Sequence, residues 1–445
     1  MSNKKILITG QCSLHLGRME FGNIGNFYIV QQLFEQIKIK YPNHKIYTTL
    51  QLSEDFKKQY NIDILPMDYY YSFNDIKSNL PNTLFELDAS YKYRNGEDTK
   101  LTPFMKYAID SDLIIEFNGD VWGDNADYFG EDRFVVGMYK TIILQNCNKN
   151  IYNFAGSPGP FNTCKKYIDL IKQTFSNYKK VINREKISTE LLLHQGFNSN
   201  NQVSYPCPSW MFESKLSNDE INKIYEKAGI IKKNNEKLIG MIICGWNIKN
   251  KLWDSTDYLR DDFIDFIELV KHIISKYDMK IVLISHNNAY NKNINKLQNG
   301  RDFFLLERFY NLLQNEKDID LNKIILKKTV NDPYETKGFI SKLDFMISGR
   351  LHGSVASLTS NIPTLMVKYS NGPKCHKLNG FANFINYEDY ITEVNTNNMI
   401  KQFDNIVNNE QEIINKLKIN IKKTKVKAKE SFDLLCINNY NNDYI

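Results

Sequence analysis

Arg350 and His352 stand two positions apart in the run Ile347-Ser348-Gly349-Arg350-Leu351-His352-Gly353. A guanidinium is permanently charged, and its fork suits a carboxylate or a phosphate. An imidazole exchanges a proton near neutral pH. The pair therefore describes an anion site with an acid or base beside it. The local pattern supplies the scaffold. Residues 345–347 are a short apolar run that reads as a buried strand, and Ser348 and Gly349 break it. Residues 351–358 read as a helix that Asn361 and Pro363 end, and 364–369 read as the next strand. In a βαβ unit of this kind, ligands sit beyond the strand ends. The following helix turns its free N–H groups and positive dipole end toward the same place.

Other residues able to bind a ligand fall at comparable points. The stretch Gly22-Asn23-Ile24-Gly25-Asn26 precedes Phe27, Ile29, Val30, Leu33, Phe34 and Ile37, which have helical spacing. Its glycines either bring backbone N–H groups close to a ligand or form only a tight turn. A buried strand over 112–117 runs into Asn118-Gly119-Asp120-Val121-Trp122-Gly123-Asp124. Asp120 and Asp124 are placed to hold a polar ligand group, and Asp124 equally suits an Asx-type turn capping a helix. Arg184 follows the apolar 181–182 as a second arginine at a strand end, for an anion or for a surface ion pair with Glu185. His286 ends a strand over 280–285, as a ligand contact or as a hydrogen-bonded structural residue. Lys374 and His376 lie in the loop 370–376, which either closes over an anionic substrate or is an exposed turn.

The elements that must position these groups alternate along the chain. Strands are expected at 5–9, 112–117, 238–244, 280–285 and 323–326, and helices at 163–175, 187–193, 217–229, 261–277 and 334–341. A chain of 445 residues exceeds one ordinary core, so two domains are expected. The polar stretch 198–202 and Tyr205-Pro206-Cys207-Pro208 mark the junction. The expected division is 1–205, a linker 206–235, a second domain 236–407 and a tail 408–445. In the tail, Ile414, Ile421, Ala428 and Leu435 recur seven apart with Leu417 between, which reads as one long helix with a basic outer face.

Hydrophobic content of 42% with 24% charged residues is that of a globular protein. No apolar run approaches a membrane span, and the N-terminal one is too short for a signal peptide. Seven scattered cysteines without a Cys-x-x-Cys pair point to free thiols in a reducing cytoplasm and to no metal site. The net charge is +6, but residues 416–429 hold seven lysines and no acid. Subtracting them leaves the remainder at −1, which argues against nucleic acid as the ligand.

Ile347 to Gly353 followed by Asn361-Ile362-Pro363 resembles the signature of the polysaccharide pyruvyl transferases. Asn153 to Phe161, with Ser157-Pro158-Gly159-Pro160, resembles that family's Ser-x-Gly-Pro segment, and 181–185 resembles its strand ending in Arg-Asp or Arg-Glu. Two departures stand out. Asn26 replaces the acid of the family's Gly-Asn-x-Gly-Asp loop, and Cys207 replaces the acid of its Pro-Asp-Pro junction.

The resemblance implies an α/β fold of two Rossmann-like domains facing across a cleft, GT-B-like, with the C-terminal helix packing back. It implies transfer of a pyruvyl group from phosphoenolpyruvate to a sugar or lipid-linked glycan of a cell-surface polysaccharide; the sequence offers no evident metal-ligand cluster, so activity without cofactor or metal is expected. In that reading His352 is the acid, and Arg350 and Arg184 are the clamps for the carboxylate and phosphate of the donor. Arg184, Gly22, Asn23, Gly25, Asn26, Asp120, His286 and Lys374 bind substrate. The lysine-rich tail would add weak peripheral contact with the inner face of the membrane. Two other readings fit the residues: a GT-B-type glycosyltransferase using a nucleotide sugar, and a non-catalytic glycan-binding or assembly protein.

Overall fold

The computed structural model describes residues 4–10, 20, 22–70, 80–124, 131–231, 236–291, 296–370 and 376–437. It divides into two compact units. The first holds the described residues of Met1–Met19, Leu33–Cys207 and Lys427–Ile445, and the second those of Glu20–Gln32 and Pro208–Val426. This division assigns Glu20–Gln32 to the second unit, which a single cut within 206–235 does not.

The first unit is built on seven strands: β1 (Lys5–Thr9), β2 (Lys45–Thr48), β3 (Ile62–Ile64), β4 (Leu113–Glu116), β5 (Ile151–Gly156), β6 (Lys180–Asn183) and β7 (Gln202–Ser204). They pair in parallel in the order β3-β2-β1-β4-β5-β6-β7. The second unit contains β8 (Leu238–Ile242), β9 (Lys280–Leu283), an antiparallel hairpin β10 (Asn288–Asn291) and β11 (Lys296–Asn299), then β12 (Ile324–Leu326), β13 (Phe345–Ser348), β14 (Thr364–Val367) and β15 (Ile391–Thr392). Its main sheet runs β12-β9-β8-β13-β14-β15, again all parallel. Both orders reverse after their first strand, which is the doubly wound nucleotide-fold pattern. The reversal falls between β1 and β4 in one unit and between β8 and β13 in the other.

Strands β4, β8, β13 and β14 are buried at every position. Parallel strands covered on both faces become continuous apolar runs, which is why they are legible in the sequence. The expected strand ends overshoot by two residues at 243–244, 284–285 and 368–369. Ile243, Cys244 and Ile284 stay buried after the ladder has ended, so burial outlasts pairing there.

The helices that bear on function are α1 (Ile24–Lys40), α2 (Glu131–Cys147), α3 (Lys186–His194), α4 (Arg301–Leu313), α5 (Pro333–Ile340), α6 (Leu351–Leu358), α7 (His376–Asn383) and α8 (Glu410–Glu430). The tail carries one long helix as expected, α8, which follows a separate helix, Thr396–Asn408, and gives way to a short 3-10 turn, Ser431–Leu434. The buried face of α8 is Ile413, Leu417, Ile421, Thr424 and Ala428, while Ile414 is only half-buried. The spacing of four, four, three and four is that of a straight helix face rather than a strict seven-residue repeat.

Candidate active site

The second unit builds its site where the order of its strands reverses. β13 ends at Ser348, which lies beside Ile242 of β8 and Met366 of β14. Asn247, wholly buried, ties the neighbouring strand ends together. Its Oδ1 accepts from the Cys244 N–H at 2.9 Å, and its Nδ2 donates to the Lys368 carbonyl at 3.1 Å. Gly349 passes so close that a Cβ there would stand 2.0 Å from Asn247 Oδ1. Helix α6 starts immediately afterwards with Arg350 as its N-cap. Its far end is held by Lys337 of α5, whose Nζ donates to the Ala356 carbonyl, Thr359 Oγ1 and Ser360 Oγ at 2.7 Å each. Burial pushes the Lys337 pKa down to about 7, and its amine satisfies a carbonyl of the helix's last turn and two hydroxyls beside it.

Arg350 does not stand free. Its Nε and Nη2 donate to the two carboxylate oxygens of Asp302, whose side chain is 1% exposed. Burial opposes the charged guanidinium, but the Asp302 carboxylate outweighs it and raises the Arg350 pKa. Asp302 is the second residue of α4, and the start of α4 is fixed in turn. The Arg301 N–H donates to Asn287 Oδ1 at 3.0 Å. Asn287 Nδ2 and the Asn288 N–H both reach the Gly22 carbonyl, at 3.2 and 2.9 Å, and Asn23 forms a bridge with Asn287. The glycine loop and the arginine turn thus belong to one hydrogen-bonded assembly.

His352 is buried, at 7% exposure, in the first turn of α6. The edge of its ring meets Phe381 of α7 with centroids 6.0 Å apart. Gly25 also lies against it: a Cβ on Gly25 would stand 2.2 Å from His352 Nδ1 and 2.4 Å from His352 Cβ. Asn23 Oδ1 accepts from the Gly25 N–H at 3.2 Å, and the Asn26 N–H reaches the Asn23 carbonyl at 2.9 Å. The loop glycine is therefore needed for the histidine to approach. Asn26, half-buried, stands one position beyond.

His286 is wholly buried. Burial, then the charge of Arg350, pushes its pKa down to about 3, so the ring is neutral. Its Nε2 lies 3.3 Å from the Tyr28 hydroxyl, and its Nδ1 has no hydrogen-bond partner among the described residues. Lys374 lies outside the described residues.

The first unit holds a separate set. Arg184 follows β6 and is buried, its Nε donating to Ser157 Oγ at 2.8 Å and its backbone N–H to the Gly156 carbonyl at 2.9 Å. The Ser157 N–H donates to the Gly119 carbonyl at 2.8 Å, which brings the Asp120 turn to the same rim. Glu185 is also buried and accepts from the Ser188 N–H as the N-cap of α3. Neither side chain therefore lies at the surface, where the ion-pair reading put them. Asp124 is a turn residue: its Oδ1 accepts from the N–H groups of Asn162 and Thr163 at 2.7 and 2.9 Å.

Sequence reasoning missed Asp302, Asn247 and Tyr28. An acid in the first turn of a helix is ordinary, so Asp302 carried no signal of its own. Asn247 and Tyr28 are recognisable only once distant segments meet.

The sequence model of the family described as polysaccharide pyruvyl transferase matches residues 23–371. The chain belongs to that family. The matched stretch contains Arg184, His286, Arg350 and His352, and leaves out Gly22 and Lys374. No curated protein matches this pyruvyl transferase family member in sequence. Solved structures match it in fold. A UDP-GlcNAc 2-epimerase from Neisseria meningitidis bound to UDP-GlcNAc superposes with a TM-score of 0.57 at 10% identity, over 97% of this chain and 99% of that one. A glycosyltransferase from Rickettsia africae gives 0.56 at 13% identity, over 97% and 96%. HepE from Anabaena in complex with UDP and glucose gives 0.53 at 12% identity, over 97% and 96%. Identities this low establish the fold alone: two Rossmann-like domains of the GT-B type. Among the described residues no helix is long and apolar enough to cross a membrane.

Proposed function

We propose that this protein transfers the pyruvyl group of phosphoenolpyruvate to two hydroxyls of a sugar in a polysaccharide or its lipid-linked precursor, forming a ketal. Membership of the pyruvyl transferase family is the observation that carries the reading. The residue chemistry agrees with it. The methylene carbon of the donor must gain a proton, which leaves an oxocarbenium-like centre. One sugar hydroxyl attacks that carbon, phosphate leaves, and the second hydroxyl closes the ring while both hydroxyl protons are released. His352 is our candidate for giving the proton. Arg350, held rigid by Asp302, places a fixed positive charge at the same strand end. In the first unit, Arg184 is the candidate for an anionic group and Asp120 for a sugar hydroxyl. The lysines of α8 would favour an anionic surface, as suits a lipid-linked acceptor.

The test is phosphate release from phosphoenolpyruvate that depends on an added acceptor, with the acceptor gaining the mass of pyruvate less water. His352→Ala should abolish turnover, by about a hundredfold or more, while phosphoenolpyruvate still binds. Normal turnover in that variant would remove His352 from the chemistry. Thermal stabilisation by a nucleotide sugar and not by phosphoenolpyruvate would instead favour a glycosyltransferase. Failure of every acceptor with every donor would leave a non-catalytic glycan-binding protein.

A further inference from the structure

Asp302 fills the fork of Arg350, so the family's signature arginine has its best hydrogen-bonding edge turned to the protein. The residue before Asp302 is arranged differently. Arg301 is exposed, and its guanidinium carbon lies 4.0 Å from the centroid of the Trp253 indole. Trp253 is stacked on Trp246, with centroids 5.4 Å apart and planes 9° from parallel. Trp246 leans on Tyr369, over which Lys377 Nζ stands at 5.2 Å. The loop bearing Trp253 is itself pinned: a Cβ on Gly245 would stand 1.9 Å from the Trp253 carbonyl oxygen. Among the described residues the Arg301 guanidinium makes no ion pair and no hydrogen bond. An arginine laid on an indole is restrained in orientation without spending its N–H groups.

We infer that Arg301, shelved on Trp253 and Trp246 beside the Arg350–Asp302 pair, forms an oxyanion subsite that takes the phosphate of a phosphorylated ligand. Its N–H groups are ordered but unspent, whereas those Arg350 would offer bidentately are already committed to Asp302. Partial burial holds the Arg301 pKa below its ordinary value; Asp254 opposes the shift, Arg350 adds to it, and Asp302 opposes it again. In the reaction proposed above, Arg301 grips the phosphate that departs, and Arg350 supplies a charge held in place by the protein. The inference rests on that reading only for the identity of the ligand.

The experiment is calorimetric titration of the full chain with phosphoenolpyruvate, inorganic phosphate and UDP, for the wild type, Arg301→Ala and Arg301→Lys. Intrinsic tryptophan emission is followed in parallel, because two of the four tryptophans lie in the stack. The Ala variant should weaken phosphoenolpyruvate and phosphate binding by about tenfold or more. The Lys variant should recover part of it, and the melting temperature should stay unchanged because the side chain is exposed. Anion binding should change the emission in the wild type and lose that change in the Ala variant. Equal affinity in the Ala variant overturns the subsite, and so does a wild type that binds none of the three. Binding of phosphate or UDP but not phosphoenolpyruvate, still dependent on Arg301, upholds the subsite and overturns the proposed donor.

Discussion

Gly25 is set by a histidine far along the chain. It lies in the first turn of α1, where an alanine would normally stabilise a helix by about 0.5–1 kcal/mol relative to glycine. Here the added carbon would fall inside contact distance of three His352 atoms, including His352 Cβ, which cannot swing away. Gly25→Ala should therefore destabilise, by about 1–3 kcal/mol as an overpacked site, and should lower turnover by displacing the imidazole. Urea unfolding decides the sign, and a more stable variant would show that the histidine does not sit against the glycine. This residue also shows the reach of sequence reading. Arg350 and His352 are legible because a buried strand, a break and a helix leave them at a strand end. The loop glycines stand out by composition. Their partnership is illegible, since nothing in either segment encodes the other. Asp302 was hidden for the same reason, at 48 residues from the arginine it holds.

At the scale of elements, β4 is the strand beside which the first sheet reverses, and it ends on a buried carboxylate. Glu116 accepts from the hydroxyls of Tyr70 at 2.8 Å, Tyr178 at 2.5 Å and Thr141 of α2 at 3.0 Å. One side chain thus joins β4 to three other segments. Burial pushes its pKa up to about 7, and the three hydroxyls only partly offset that. Between the ordinary carboxylate range and pH 7, the unfolded chain has lost this proton while the folded chain keeps it. The folded state then binds more protons, so stability falls as pH rises through this window, by about 2–3 kcal/mol from this group. Glu116→Gln keeps the shape and removes the titration. Its urea midpoint should stay level between pH 5 and 7.5 while the wild-type midpoint declines, and parallel declines would acquit Glu116. The elements themselves were readable where both sheet faces are covered. They were unreadable where that cause is absent: the β10–β11 hairpin, Asn-Ala-Tyr-Asn against Lys-Leu-Gln-Asn, is mostly half-exposed and presents no apolar run.

At the scale of the whole chain, neither unit is one continuous piece of sequence. The second takes Glu20–Gln32 from the N-terminal half, and the first takes the chain from Lys427 onward. A reading that follows the chain in order has no means to see this, because the attachments are made by side chains rather than by pattern. The returning segment is firmly seated in the first unit. The ring of Phe432 lies 4.9 Å from that of Phe154 on β5, and Leu435 is fully buried. Lys40 Nζ donates to the Phe432 carbonyl at 2.8 Å, and the Tyr41 hydroxyl to the Leu435 carbonyl at 2.6 Å. A chain ending at Glu430 would expose the surfaces that Phe432 and Leu435 cover and leave those donors to water. At about 1.5–3 kcal/mol for each buried side chain, the first unit should lose roughly 3–6 kcal/mol. These contacts all lie within the first unit, so the unfolding of the second unit should keep its own midpoint. Unfolding followed separately through the tryptophans of the two units, Trp122 in the first and Trp210, Trp246 and Trp253 in the second, distinguishes the cases. An unchanged first-unit midpoint in the shortened chain would mean that the returning segment is only laid against the sheet and does not complete its core.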